Sequence, residues 1–134
     1  MNKPEGAAKA DEEFVRKGAE KITHKEMEEV VEKSELIESK FKSFRVLGKY
    51  FEGARLMLAL IRDYWRGDYR ETPWFTIAAI VFMLLYVLNP FDLVPDMIPF
   101  IGLVDDVFAF SIAFKIAEKD LQRYRKWKLA RESG

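Results

Sequence analysis

The sequence predicts an all-α, membrane-associated protein in which an apolar helical hairpin is flanked by amphipathic helices. Two observations lead to this class. The 44 residues from Glu71 to Phe114 contain no lysine, arginine or histidine, although charged residues make up 33% of the chain. On both sides of that stretch, apolar side chains recur at steps of three and four residues, which is the spacing of one face of a helix.

Composition limits the classes of function. The chain of 134 residues contains no cysteine, which excludes disulfides, thiolate catalysis and cysteine metal sites. Its net charge of zero hides an asymmetry, because residues 72–114 carry a net charge of −4 and residues 115–134 a net charge of +4. The first ten residues have no apolar segment, so we expect a mobile start rather than a signal peptide.

Residues 1–49 are predicted to form a charged, amphipathic helical arm. From about Asp11 to Gly48, one stripe of a helix is made by Met27, Val30, Ser34, Ile37, Phe41 and Phe44. The simpler interpretation is a helix that packs on the rest of the molecule. The alternative is a short coiled coil that would make the protein a homo-oligomer, although Ser34 on the seam and the small number of heptads weigh against it.

A helical domain is predicted over residues 50–129, followed by a tail over residues 130–134. Its first helix runs from Tyr50 to Arg66 and ends at Gly67-Asp68. The apolar face of this helix carries Tyr64 and Trp65, and its polar face carries arginines. Such a helix either faces a protein core or lies on a membrane surface, and the sequence leaves both interpretations open.

The next helix is apolar on every face, so it must be buried in protein or in lipid. Thr72 is predicted to cap it, Pro73 suits its first turn, and Asn89-Pro90 ends it. Its length of about 24 Å is less than the hydrocarbon core of about 30 Å. The competing class is therefore a soluble helical bundle, acting as an interaction module, in which residues 73–114 form the core.

The second apolar arm is interrupted by acidic residues and prolines. We expect an irregular stretch from Asp92 to Val104, and then a helix that begins at Asp105 or Asp106 and becomes amphipathic towards Trp127. Basic residues flank the apolar block on both sides. The positive-inside rule then predicts a hairpin in the bacterial cytoplasmic membrane, with both termini cytoplasmic. If both arms span the bilayer, the protein is multi-pass.

One dense motif resembles a known family. It reads Tyr86-x-x-x-Pro90-x-Asp92-x-x-Pro95-Asp96-x-x-Pro99-x-x-Gly102-x-x-Asp105-Asp106, which is similar to the signature of the YkvA-like family, a bacterial domain of unknown function. The resemblance covers about residues 54–127. It implies a small, helical, membrane-associated protein, and it carries over no catalytic residue.

Four carboxylates within this motif are the candidate site residues: Asp92, Asp96, Asp105 and Asp106. Aspartate beside proline forms turns, and aspartate at the start of a helix caps it, which is the interpretation we favour. The alternatives are a divalent-cation site, since hard cations prefer oxygen ligands, and a pair of carboxylates that shares a proton. His24, the only histidine, is expected to face solvent.

The segment from Arg123 to Lys128 interleaves basic and aromatic residues. It suits a lipid membrane with anionic headgroups, a solvated helix face or a nucleic acid. Lipid is the preferred partner beside so apolar a segment, and no nucleic-acid partner is expected. The sequence predicts a structural or interaction role without catalytic activity or cofactor, and it does not define a small-molecule ligand.

Overall fold

The computed structural model describes the backbone of residues 5–43, 48–88 and 106–133, and the side chains of residues 12–43, 48–88 and 110–133. Six α-helices and a 3-10 turn, Gly48–Tyr50, are formed over these ranges, which contain no strand, so the all-α class is confirmed. The helices are α1 (Glu5–Glu20), α2 (His24–Glu32), α3 (Ser34–Ser43), α4 (Phe51–Arg66), α5 (Trp74–Leu88) and α6 (Asp106–Ser133).

Helix α5 is the centre of the bundle. Each of the other five helices packs against it, and 12 of its 15 residues are buried. The prediction of an apolar helix ending at Leu88 is confirmed, and its faces are covered by protein. Within the ranges that the structure describes, no helix combines the length and the apolar character needed to cross a bilayer, so the predicted transmembrane helix is not supported.

The N-terminal part forms three helices where the sequence predicted one. The break before α2 is fixed by a capping box, in which Thr23 accepts a hydrogen bond from a backbone N–H and Glu26 accepts one from the Thr23 N–H at 2.7 Å. Helix α1 begins at Glu5, inside the segment expected to be mobile. The predicted stripe is otherwise confirmed, because Met27, Val30, Ser34, Ile37 and Phe41 are all buried; Phe44 lies outside the described residues.

Helix α1 packs closely on α5. The ring of Phe14 makes edge contacts with Phe82 and Tyr86, with centroids 5.1 and 5.0 Å apart. Gly18 lies so near the Phe82 ring that a Cβ atom there would overlap it. Residues of the predicted N-terminal arm therefore share one hydrophobic core with the predicted domain, while the boundary at residue 49 remains a prediction.

The C-terminal end of α5 is held by α3. The Nζ atom of Lys40 donates a hydrogen bond to the carbonyl of Leu88 at 2.7 Å. The last carbonyls of a helix have no hydrogen-bond partner within the helix, and they form the negative end of its dipole. A lysine here supplies both a hydrogen-bond donor and a compensating positive charge. This end of an apolar helix is thus stabilised by a basic residue from a different element.

Helices α4 and α6 lie side by side and run in the same direction. Gly53 is beside Phe114, and a Cβ atom at Gly53 would lie 2.5 Å from the Phe114 ring. Ten residues further along both helices, Asp63 bonds to Tyr124. Helix α4 ends at Gly67, whose φ of 83° is the left-handed C-terminal conformation that glycine favours. The predicted break at Gly67-Asp68 is confirmed.

Candidate functional site

The predicted site residues are largely beyond what the structure describes. Asp92, Asp96 and Asp105 lie outside the described residues, and Asp106 is the first residue of α6 with its side chain outside the described set. The predicted start of this helix is confirmed, while the choice between a cap and a cation site stays a prediction. The described side chains include no cluster of three or more acidic or histidine residues suited to a metal ion.

A polar layer crosses the bundle where α4, α5 and α6 meet. The hydroxyl of Tyr124 donates a hydrogen bond to Asp63 Oδ2 at 2.5 Å, and the hydroxyl of Thr76 donates one to Asp120 Oδ2 at 2.7 Å. Lys128 Nζ lies 3.8 Å from Asp63 Oδ2 and donates to the Tyr124 hydroxyl oxygen at 3.3 Å. The buried Asp63 carboxylate therefore has both a hydroxyl donor and a nearby cation.

Electrostatics keep the tyrosines of this region protonated. Burial, followed by the hydrogen bond to the Asp63 carboxylate, raises the pKa of Tyr124 well above its ordinary value. Burial, followed by the charge of Glu71, raises the pKa of Tyr69 as well. Both hydroxyls are therefore protonated at neutral pH, and that of Tyr124 links α6 to α4 through its hydrogen bond to Asp63.

Two hydroxyls in the α4–α5 connection are buried without a hydrogen-bond partner among the described residues. They are Tyr69 Oη and Thr72 Oγ1. The predicted capping role of Thr72 is therefore not observed, and the first bond of α5 runs instead from the Ile77 N–H to the Pro73 carbonyl at 3.2 Å. Buried polar groups of this kind are commonly satisfied by ordered water.

The polar layer brings two sequence segments to one end of the bundle. We call residues 62–76 and 120–132 the basic aromatic end, because Asp63 bonds to Tyr124 and Thr76 bonds to Asp120. Its exposed basic residues outnumber its exposed acids by six to three. The basic residues are Arg66, Arg70, Arg123, Arg125, Lys126 and Arg131, and the acids are Asp68, Glu71 and Glu132.

Two large apolar side chains are exposed at this end. Trp74 is 38% exposed and Phe75 is 44% exposed, at the first turn of α5. The Trp74 ring is flanked by His24, whose ring centroid lies 5.3 Å away, and by Tyr64 at 6.4 Å. His24 is exposed, as the sequence predicted. The apolar helix α5 thus begins with a pair of aromatic side chains that face solvent.

The two aromatic residues of the segment from Arg123 to Lys128 lie on a different face of α6 from its exposed basic residues. Tyr124 is fully buried, and Trp127 is half-buried, with its ring 4.9 Å from that of Tyr69. The two aromatic side chains therefore pack into the molecule, because they continue the apolar stripe of α6. The basic residues Arg123, Arg125 and Lys126 of this segment are exposed.

Asp63 was absent from the sequence-based candidates. It lies between Arg62 and Tyr64 in α4 and is 9% exposed. The only local sequence feature that indicates its burial is its position within the broad apolar face of an amphipathic helix. Its partners, Tyr124 and Lys128, are four residues apart on one face of α6, and nothing in the local sequence connects them to Asp63.

Comparison with known proteins found one family model and one relative that match part of the chain. A family model described as "Protein of unknown function (DUF1232)" matches residues 76–112. The "Uncharacterized membrane protein YkvA" of Bacillus subtilis (strain 168) is 31% identical over 70 residues. Residues 76–112 of the chain are thus similar to the DUF1232 family. The resemblance carried by the motif from Tyr86 to Asp106 is thereby confirmed.

The DUF1232 match has a limited extent. The aligned part is 52% of this chain and 66% of the YkvA protein, which is just under two thirds of that relative. No solved structure matches the chain significantly. The family supplies no activity, so any role has to be argued from the geometry of the chain itself.

Proposed function

We propose that this protein is a membrane-associated helical bundle that acts by binding rather than by catalysis, and that it docks on the cytoplasmic membrane through its basic aromatic end. The observation that carries this proposal is the exposure of Trp74 and Phe75 at that end. The printed name of the YkvA protein, a membrane protein, supports lipid as the partner.

Aromatic and basic residues have complementary roles at a lipid surface. Tryptophan favours the headgroup level of a bilayer, where an amphipathic ring is partly buried and partly wet. Exposed Arg66 and Arg70 lie close in sequence to the aromatic pair. Basic residues near an anionic surface contribute about 1 kcal/mol each. An aromatic pair with surrounding arginines therefore suits an anionic membrane surface.

The packing of α5 favours docking over insertion of the folded bundle. Its apolar faces already contact α1, α2, α3, α4 and α6. Transfer of α5 into lipid would exchange those protein contacts for contacts with acyl chains. Such an exchange gains little, because lipid tails are as apolar as the side chains they would replace.

Vesicle flotation tests this mode of attachment. We expect the purified protein to float with vesicles of phosphatidylglycerol and phosphatidylcholine, and to float less with phosphatidylcholine alone. The double variant Trp74→Ser/Phe75→Ser should lose flotation. Leu36→Ser is the matched control, because Leu36 is 54% exposed on another helix and the change is also from apolar to polar. Equal flotation of both variants would defeat the proposal.

A membrane-spanning hairpin is the second candidate, and one observation favours it. The stretch without basic residues, 71–114, has arginines before it and lysines after it, which is the pattern of a hairpin with both termini cytoplasmic. A carbonate wash of cell membranes separates the two candidates. Release of the protein supports surface docking, whereas retention until detergent is added supports the hairpin.

A further inference from the structure

A groove follows the line where α4 and α6 lie side by side. Its volume is about 650 Å³, which is within the range of small-molecule sites. It is lined by residues of three helices: Glu38 of α3, then Glu52, Gly53, Arg55, Leu56, Ala59 and Arg62 of α4, and Phe114, Arg125 and Lys128 of α6. Because α4 and α6 run in the same direction, the groove has two different ends.

One part of the groove is apolar and the other is cationic. The side chains of Leu56, Ala59 and Phe114 line the first part, and Gly53 keeps the two helices close there because a side chain would meet the Phe114 ring. Arg62, Arg125 and Lys128 line the other part. Residues 53 and 62 are nine positions apart on α4, so the groove extends over about 14 Å of this helix, from the apolar part to the cationic part.

The charges of the apolar part are already paired. Arg55 Nε lies 3.4 Å from Glu38 Oε1, and Arg55 Nη1 lies 3.8 Å from Glu52 Oε1. These three groups form a small ion-pair network at the groove edge. Exposed pairs of this kind contribute little to stability, but they leave no net positive charge at this part of the groove.

The charges of the cationic part are not balanced in the same way. Lys128 is 3.8 Å from Asp63, which is its only acidic neighbour at ion-pair distance in the part of the chain described here. Within that same part, neither Arg62 nor Arg125 has a carboxylate partner. Guanidinium groups of like charge along one groove repel each other, and an anion between them would remove that repulsion.

We infer that this groove binds a single-chain anionic amphiphile, with its carboxylate or phosphate head at Arg62 and Arg125 and its alkyl chain along Leu56, Ala59 and Phe114. Guanidinium groups bind such heads through paired N–H donors. The apolar part removes the first segment of the chain from water. The cationic part of the groove is at the basic aromatic end, so the head lies near the surface proposed to face lipid.

This inference is separate from the docking proposal, since it concerns one molecule in a groove rather than a bilayer. Calorimetric titration with monomeric dodecyl phosphate and dodecanoate tests it without vesicles. We expect both probes to bind, and inorganic phosphate and dodecyl maltoside to bind at least about tenfold more weakly, because each lacks one of the two recognised parts. The Trp74→Ser/Phe75→Ser variant should bind like the wild type, which distinguishes this result from the docking result.

Variants assign the two parts of the groove. Arg62→Gln and Arg125→Gln should each weaken dodecyl phosphate binding about tenfold, as expected for loss of a charge-assisted contact. Arg16→Gln removes the same charge from an exposed position on α1, outside the groove and outside the basic aromatic end, and should leave binding unchanged. Ala59→Phe, which fills the apolar part, should weaken both alkyl probes while its helical circular dichroism stays that of the wild type.

Four results would overturn the assignment. They are the absence of binding by both anionic probes, equal binding of dodecyl maltoside, equal binding of inorganic phosphate, and an equal loss in Arg16→Gln. Sedimentation adds a further test, because a dimer that dissociates in Arg62→Gln and Arg125→Gln would mean that a second copy of the chain occupies the groove instead.

Discussion

Asp63 and Tyr124 show how one buried charge is accommodated in this bundle. Placing a carboxylate in a protein interior costs several kcal/mol unless hydrogen bonds and charges compensate. Lys128 is 39% exposed in its side chain and 3.8 Å from Asp63, so solvent screens much of that pair. The Tyr124 hydroxyl, buried and 2.5 Å from Asp63 Oδ2, is the stronger partner.

Removal of that hydroxyl should therefore destabilise the protein. We expect Tyr124→Phe to lower the free energy of unfolding by about 1–3 kcal/mol, because it leaves a buried carboxylate without its donor. Urea unfolding followed by circular dichroism measures the change. Tyr50→Phe is the control: Tyr50 is half-buried and packs its ring on Phe110, and its change should stay within about 0.5 kcal/mol. Similar losses in the two variants would contradict this role of the hydrogen bond.

The same residue should give the protein a dependence on alkaline pH. The pKa of Tyr124 is raised in the folded state from an ordinary value of 10.0, so the folded protein holds this proton more tightly than the unfolded chain. Its contribution to stability is complete below pH 10.0 and is lost as the pH rises above that value. The free energy of unfolding should then fall above pH 10.0, and fall less steeply in Tyr124→Phe.

Urea unfolding in buffers on both sides of pH 10.0 measures these slopes. Comparing the wild type with Tyr124→Phe at each pH isolates the contribution of Tyr124, because the two proteins share all other titratable groups. Parallel curves for the wild type and Tyr124→Phe would mean that Tyr124 titrates alike in the folded and unfolded states. The sequence predicted that α6 becomes amphipathic towards Trp127, but it did not predict the bond between Tyr124 and Asp63, because a contact across 61 residues leaves no local pattern.

Among the elements, helix boundaries were predicted where residues such as proline mark them in the local sequence. The apolar run of α5 lies between Pro73 and Asn89-Pro90, and its predicted extent agrees with Trp74–Leu88. The break between α1 and α2 was missed, although Thr23 and Glu26 have the spacing of a capping box. The apolar stripe from Met27 to Phe41 continues in phase past Lys33, so periodicity alone did not reveal that α2 and α3 are separate.

Close helix packing makes Gly18 of α1 sensitive to substitution. Helix propensity alone favours alanine there by about 1 kcal/mol. A Cβ atom would overlap the Phe82 ring, and overpacking a core typically costs about 1–3 kcal/mol. We expect the overlap to dominate, so that Gly18→Ala lowers the free energy of unfolding by up to about 2 kcal/mol in urea denaturation.

Gly48→Ala is the matched control for this substitution, because a Cβ atom at Gly48 would have nothing within 4 Å. Its free energy of unfolding should change by less than about 0.5 kcal/mol. A gain in stability for Gly18→Ala would show that α1 can move away from Phe82 without loss. The packing of α1 on α5 would then be looser than the ring contacts of Phe14 indicate.

At the scale of the whole molecule, the sequence left one choice open. A helix that is apolar on every face must be buried, but the pattern is the same whether lipid or protein surrounds it. In the structure protein surrounds it, and three of the covering helices come from the charged N-terminal part. The packing of α1, α2 and α3 on α5 could not be predicted from local patterns, because the sequence of one helix does not show which other helix its buried residues contact.

Membrane topology is the last property that separates the two candidates of the proposed function. The chain contains no cysteine, so single cysteines report their own accessibility to an impermeant thiol reagent. Ser43 and Ser133 are exposed, and both candidates place them on the cytoplasmic side. Ser43→Cys and Ser133→Cys should therefore resist labelling in intact cells and react after permeabilisation.

Asp96→Cys distinguishes the candidates, because Asp96 lies in the acidic turn of the predicted hairpin. Surface docking from the cytoplasm expects it to be protected in intact cells, like the other two cysteines. A spanning hairpin expects it alone to be labelled, since the turn would emerge on the opposite face. Labelling of all three would place the protein outside the cytoplasm, and would contradict the positive-inside argument from the basic residues on either side of the apolar block.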